Sequence, residues 1–336
     1  MERRNRQWLL ARRPKGMIGA EDFQWTEGAV PTPSEGELLV RNLWLSCDPA
    51  QRGWVAGDTY LPAVKIGEVM RSFAVGTVLE SKNPKFRPGQ LVQGLFGWQD
   101  YACVKPGAAS ATTPVLEGVP VETAMSALGP TGITAYFGLL EVGRPQPGET
   151  VVVSGAAGAT GSAVGQIAKI KGCRAIGIAG GAEKCRWLVE DYGFDAAVDY
   201  KNENVGERLR ELCPKGIDVF FDNVGGEILD AALARLAMRG RVVLCGAIAR
   251  YNETGPGPKN YLSLVVRRGR MEGFIVLDYL PRAAEAIGAI SAWMKEGRFK
   301  DRVDVQHGLE NAPATLARLF KGENRGKQLL RIAEAP

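Results

Sequence analysis

A run of valines leads directly into a run of small residues: Val151-Val152-Val153-Ser154-Gly155-Ala156-Ala157-Gly158-Ala159-Thr160-Gly161. The valines read as a buried strand and the residues from Ala159 as the start of a helix, the context in which a glycine-rich turn acquires chemical meaning. Aligned on the pattern G-x-G-x-x-G, the first glycine is replaced by Ala156, and Gly158 and Gly161 fill the second and third places. A glycine at the second place lets the backbone approach a pyrophosphate, and one at the third lets helix and strand pack closely. The helix N-terminus adds N–H groups and a partial positive charge for phosphates. Such turns also occur as purely structural tight turns; the run of β-α units around this one favours a dinucleotide.

The second strand of such a unit selects between the two nicotinamide dinucleotides. NAD binders carry an acid near its end, roughly 20 residues beyond the glycines, to hold the ribose 2′-hydroxyl. Here the stretch reads Ile178-Ala179-Gly180-Gly181-Ala182-Glu183-Lys184. The strand ends in two glycines, and Lys184 opens the next helix with a charge suited to a 2′-phosphate. Glu183 argues the other way, although it falls past the strand end and suits a helix N-terminus. Lys184 is open to a second reading as a solvated helix lysine. NADP is the favoured cofactor.

Other chemistries lack their residues. The six cysteines lie far apart with no C-x-x-C pair, so no four-ligand structural zinc site is expected. The single histidine, His307, has no nucleophile motif near it and reads as a surface or packing residue, so neither a catalytic zinc nor a Ser-His-Asp site is expected. The net charge of +5 is modest and its basic residues are scattered, which speaks against a nucleic-acid partner. No apolar run approaches the roughly 20 residues of a membrane helix. The basic N-terminus lacks the uninterrupted apolar core of a signal peptide, so a cytoplasmic location is expected.

Elements that must position the glycine turn can be read in outline. With 336 residues, two domains are expected. The chain up to about residue 120 reads as all-β: strand-like runs at 37–45, 74–81 and 90–96 alternate with turn signals such as Asn83-Pro84 and Arg87-Pro88-Gly89. A compact barrel or sandwich follows from that pattern. Helix-forming stretches at 121–128 and 134–140 then precede alternating elements: strands at 151–153, 174–179, 197–200, 217–222 and 241–246, and helices at 159–171, 182–192, 203–212 and 228–238. Repeated units of this kind predict a parallel sheet covered by helices on both faces, with its ligand at the carboxyl ends of the strands. The stretch 329–332 reads as a strand that rejoins the first domain.

In order and spacing, several segments match one family. They are Leu45-Ser46-Cys47-Asp48-Pro49, Phe73-Ala74-Val75-Gly76, Gly132-Ile133-Thr134-Ala135-Tyr136-Phe137-Gly138, the glycine turn, Phe221-Asp222-Asn223-Val224-Gly225-Gly226, Cys245-Gly246-Ala247-Ile248, Met271-Glu272-Gly273-Phe274 and Lys321-Gly322-Glu323-Asn324-Arg325-Gly326-Lys327. Over nearly its whole length the chain resembles the zinc-free medium-chain dehydrogenases/reductases that include prostaglandin reductase, plant alkenal double-bond reductases and bacterial curcumin reductase. The resemblance implies an α/β fold in two parts: a Rossmann-type doubly wound parallel sheet at 123–299 that binds NADP, and a mostly-β, GroES-like barrel at 1–122 plus 300–336 for the substrate. It implies pyrophosphate contacts at Gly158, Ala159, Thr160 and Gly161, and 2′-phosphate contacts around Gly180, Lys184 and Tyr200. Asn223, the loop of Cys245, Gly246, Ala247, Ile248 and Tyr251, a strand at 274–277 with Phe274, Ile275 and Val276, and Asn324 would meet the rest of the cofactor. A homodimer is implied as well.

The implied reaction is NADPH-dependent reduction of the double bond of an α,β-unsaturated ketone or aldehyde, without metal. Hydride addition to the β-carbon gathers charge on the carbonyl oxygen, which a hydrogen-bond donor stabilises. Tyr60 and Tyr251 are the candidate catalytic tyrosines, with Tyr261 a lesser one; each also reads as a packing tyrosine. The chain departs from its relatives at Ala50, where a pocket tyrosine is often found, and at Val266, where several carry a tyrosine near the nicotinamide ribose. A pocket of Trp44, Tyr60, Tyr251 and residues 274–279 is expected. Quinone reduction by the same fold, zinc-free alcohol oxidation, and a non-catalytic NADPH-binding module are the rival readings.

Overall fold

The structure is a computed structural model that describes residues 4–253 and 255–334. The chain divides into two compact units, one of Met1–Met125, Asp304–Asn324 and Gln328–Pro336, the other of Ser126–Val303 and Arg325–Lys327.

In the first unit, β1 (Arg4–Leu10) and β2 (Phe23–Ala29) form an antiparallel hairpin. They are followed by β3 (Leu38–Ser46), the short helix α1 (Ala50–Ala56), β4 (Phe73–Ser81), β5 (Leu91–Leu95), β6 (Tyr101–Val104), β7 (Thr113–Pro114) and α2 (Val121–Met125). The central strand β3 is almost continuously buried because it pairs with β4, β6 and, from the far end of the chain, β15. Leu38, Val40, Leu45, Val78, Val92 and Trp98 form the centre of its apolar core.

The second unit begins with α3 (Pro130–Phe137), continued by a π-helical turn at Gly138–Gly143. Strands and helices then alternate: β8 (Thr150–Ser154), α4 (Ala159–Ile170), β9 (Arg174–Ala179), α5 (Ala182–Glu190), β10 (Ala196–Asp199), α6 (Val205–Leu212), β11 (Ile217–Asp222), α7 (Gly226–Leu233), β12 (Leu236–Leu244), α8 (Ser263–Arg267), β13 (Arg270–Gly273) and α9 (Ala283–Lys295). The strands lie in the order β10-β9-β8-β11-β12-β13, every pairing parallel. The order reverses between β8 and β11, so their carboxyl ends flank the topological switch point. Alternation along the strands serves both faces. Val152, Ile176, Ile178 and Phe220 pack under α6 and α7, while Gly177, between them in sequence, lies against Leu188 of α5. The chain closes with β14 (Val303–His307), α10 (Ala312–Lys321) and β15 (Lys327–Arg331).

Two expected elements differ. The helix read at 228–238 ends at Leu233, and Leu236, Ala237 and Met238 open β12 instead. Leu236 pairs with Ile217, and a register shift before Val219↔Arg241 absorbs the extra residues. The strand read at 274–277 also fails to form. The last β13 pairing is Leu244↔Gly273, beyond which β12 becomes a loop and leaves nothing to pair with. Residues Val276–Arg282 wind into 3-10 turns.

Candidate functional site

Between β8 and α4 the chain turns through Gly155, whose φ of 58° places it in the left-handed region. Ala156, at the first place of the glycine pattern, is not among the positive-φ residues, and its amide donates to Ile178 O at 3.0 Å. The conformational demand of the turn therefore falls one residue earlier than the pattern suggests, and alanine at 156 is unstrained. Gly161 is required by space: a Cβ there would stand 2.4 Å from Gly155 O and 2.8 Å from Ala156 Cα, both backbone. Gly158 is the N-cap of α4 and supplies no capping side chain. The first-turn N–H groups, which no helix bonds internally, are thus left for a ligand at residues 159–161. From the far end of the chain, Gly326 comes alongside in a parallel bridge to Gly158.

At the switch point a buried carboxylate ties the strand ends together. The Asp222 side chain, fully buried, accepts from Ser154 Oγ at 2.7 Å and from the N–H groups of Val224 and Gly225, both at 3.0 Å. Its carbonyl accepts from Cys245 and Gly246 N–H at 2.9 and 3.1 Å, which brings in the end of β12. Asn223 donates from Nδ2 to Ser154 O at 2.7 Å and from its backbone to Ser154 Oγ at 2.8 Å. Burial raises the Asp222 carboxyl above its ordinary value, against the opposing pull of those donors. Neither Asp222 nor Ser154 stood out in the sequence by spacing.

The corner after β9 is assembled from side chains. A Cβ on Gly180 would lie 2.9 Å from the ring of Tyr200, so that ring covers the glycine and remains 44% exposed. Gly181, with φ 100°, caps α5, and its N–H is held by Asp199 Oδ1 at 2.7 Å. Lys184 lies in the first turn of α5, half-buried. Glu183 beside it accepts from Arg325 Nη2 at 3.0 Å. Arg325 belongs to the segment 325–327, which the structure folds into this unit. In the sequence Arg325 stood only as a member of a matching segment, with nothing of this pairing, because its partner lies well over a hundred residues away.

The remaining residues fall in several places. In the loop after β12, the Tyr251 hydroxyl accepts from Ala247 N–H at 3.2 Å, and Ile248 N–H donates to Asn223 O at 3.2 Å, which joins that loop to the switch point. Burial pushes the Cys245 thiol up to about 12, so it stays protonated and is no nucleophile. The Phe274 ring meets Phe221 and Tyr279 edge-on, and it fills the space a Cβ on Gly138 would need. Ile275 and Val276 follow it half-buried into the 3-10 turns. Tyr60, with Trp44 and Asn324, belongs to the first unit, where Tyr60 is 46% exposed. Tyr261 and Val266 are exposed, and so is His307 at the end of β14. All six cysteines are free thiols, and among the described residues no three His, Cys, Asp or Glu side chains come together as metal ligands.

A dinucleotide fits this arrangement. A cradle that a Cβ would fill stands at Gly161, helix-end donors stand at the switch point, and Lys184 with the Arg325–Glu183 pair stands just past the end of β9. Comparison with known proteins agrees in family. Residues 6–112 match a family described as the N-terminal domain of oxidoreductase, and residues 159–292 one described as zinc-binding dehydrogenase. The chain is 42% identical to the NADPH-dependent curcumin reductase of Escherichia coli (strain K12), over 99% of this chain and 98% of that one. It is 40% identical to the NADP(+)-dependent 2-alkenal reductase of Nicotiana tabacum, over 88% of each. The crystal structure of CurA from Vibrio vulnificus in complex with NADPH superposes with a TM-score of 0.92 at 40% identity, covering 98% of this chain and 99% of the other.

Proposed function

The chain belongs to the zinc-free medium-chain dehydrogenase/reductase family, and on that premise we propose that it reduces the carbon–carbon double bond of α,β-unsaturated ketones and aldehydes with NADPH. The observation that carries this reading is the glycine turn at the switch point, joined through Asp222 to the loop that bears Tyr251. NADPH, when bound, supplies the hydride. The α4 N-terminus at Gly158, Ala159, Thr160 and Gly161 holds the pyrophosphate, and Gly180, Lys184 and Tyr200 hold the 2′-phosphate. Asn223, residues 245–248 and 274–276, and Asn324 line the rest of the nucleotide's path.

In this reading the second unit is the nucleotide domain expected at 123–299, extended by Arg325–Lys327, and the mostly-β unit is the substrate domain expected at 1–122 plus 300–336. Charge that gathers on the substrate's carbonyl oxygen is met by an O–H donor, Tyr251 or Tyr60, and the enolate then takes its α-carbon proton from a tyrosine or from water. A phenol that itself accepts from an amide, as Tyr251 does from Ala247, is a stronger donor through mutual polarisation.

The deciding experiment follows NADPH oxidation with a panel of enones, 2-alkenals and quinones, and repeats it with NADH. Turnover of enones and alkenals with NADPH well above quinones is the expected result. Exclusive quinone turnover, or binding of NADPH with no turnover of any member, overturns the reading.

We further propose that the chain acts as a cytoplasmic homodimer. Free thiols throughout fit a reducing compartment. The edge strand β13 and the neighbouring α8 present Leu262, Val265 and Val266 at 59%, 73% and 69% exposure, an apolar face suited to a second copy. Sedimentation velocity of the wild type and of Val265→Asp tests this: dimer for the first and monomer for the second is expected, and a monomeric wild type refutes it.

A further inference from the structure

We propose that Arg325 is a specificity-determining residue for the phosphorylated dinucleotide, acting by pairing with Glu183 and adding a second cation to the corner that Lys184 and Tyr200 form. This rests on the NADPH reading above. Two acids stand near the end of β9, where a carboxylate would hold a ribose diol and repel a 2′-phosphate: Asp199, taken up by Gly181 N–H at 2.7 Å, Lys201 N–H at 3.1 Å and Asn202 Nδ2 at 2.7 Å, and Glu183 in the first turn of α5. Glu183 Oε2 is held by Arg325 Nη2 at 3.0 Å.

Arg325 is brought there by its neighbours. Gly326 bridges to Gly158 and has a φ of 96°; a Cβ on it would lie 2.3 Å from Arg302 O, so only glycine passes at that point. Lys327 N–H donates to Arg302 O at 2.9 Å. Arg302 is itself fixed on α5, with its guanidinium 4.3 Å from the Trp187 ring and bonded to Asp191 at 2.6 Å. The segment carrying Arg325 is therefore anchored to both the glycine turn and the helix that begins with Glu183 and Lys184.

The Arg325–Glu183 side chains are 62% and 48% exposed, and ion pairs so exposed contribute little to stability. Their consequence is local charge: with Arg325 in place the Glu183 carboxylate is answered, so it opposes neither Lys184 nor an incoming phosphate of roughly −1.5 to −2.

The test is calorimetric binding of NADPH, NADH, adenosine 2′,5′-bisphosphate and AMP to the wild type, Arg325→Ala, Arg325→Lys, Glu183→Gln and the Ala/Gln double variant. Arg325→Ala is expected to weaken NADPH and the bisphosphate about tenfold while NADH and AMP change less than about twofold, since only the first pair carries the 2′-phosphate. Arg325→Lys should stay within about threefold of wild type, as the charge is kept. In the Glu183→Gln background the loss from Arg325→Ala should shrink to about threefold, the signature of coupling. Equal weakening of NADPH and NADH, no weakening of NADPH, or the same loss in both Glu183 backgrounds overturns the assignment. A wild type that does not bind NADPH overturns instead the reading on which it rests.

Discussion

The two edges of the parallel sheet treat charge in opposite ways. At the amino edge, Glu149 before β8 pairs with Arg241 of β12 at 2.9 Å, and the same guanidinium donates to Gly143 O and Arg144 O, each at 3.0 Å. Asp218 at the start of β11 accepts from Thr150 N–H at 2.9 Å. Each of these charges is answered by the protein itself. At the carboxyl edge the buried Asp222 is met by hydroxyl and amide donors, and next to it stand a glycine turn and a helix end without a capping side chain. The first edge is closed by side chains; the second is kept in shape by a buried acceptor and leaves backbone donors outward. An edge of the second kind can receive an anion.

The largest effect that would break this contrast comes from filling the carboxyl edge. Gly161→Val, pushed against Gly155 O, should lose about 3 kcal/mol in urea denaturation and lose NADPH binding in a fluorescence titration. Retained affinity would mean that the turn is not the phosphate cradle.

Removing the buried acceptor comes next. Asp222→Ala strands Ser154 Oγ and the amides of Val224 and Gly225, and should cost about 3 kcal/mol together with a measurable loss of NADPH affinity. A stability loss with unchanged affinity would reduce Asp222 to a part of the fold alone.

At the amino edge, Glu149→Gln should cost about 1.5 kcal/mol at neutral pH and leave NADPH affinity unchanged. Burial works against the Glu149 charge, but the hydrogen bonds from Arg241 and Gln146 N–H outweigh it and hold the carboxyl below its ordinary value. A depressed folded-state value contributes stability above the unfolded value of about 4.3 and loses it as pH falls through the folded one. The gap between wild type and variant in urea midpoint should therefore be constant above about pH 5.5 and close in more acid solution. A gap independent of pH would contradict the ion pair.

Smallest is Lys184→Ala, which should weaken NADPH about tenfold and NADH less than about twofold, with stability unchanged. Equal effects on the two nucleotides would remove the 2′-phosphate from that corner.

Legibility in the sequence followed the range of the interactions. The strands at 151–153, 174–179 and 217–222 were visible because a strand buried on both faces reads as an apolar run, and the glycine turn because sterics demand glycine locally. The stretch Leu236-Ala237-Met238 read as helix on its own preferences, and pairing with Ile217 overrode them. The segment 274–277 read as strand by resemblance, and the end of β12 denied it a partner. Asp222 looked like one more residue of a matching segment until Ser154, Val224 and Gly225 were found converging on it.

The sequence by itself determined the alternation of elements, the turn that must be glycine at 161, and the absence of an acid at the end of β9, because each depends on neighbours within a few residues. Only the tertiary structure decided that the left-handed residue is Gly155, that Asp222 ties three strand ends, and that Arg325 answers Glu183. Those facts arise from contacts between segments far apart in the chain, whose meeting is set by the packing of the whole sheet and leaves no periodic trace in the order of residues.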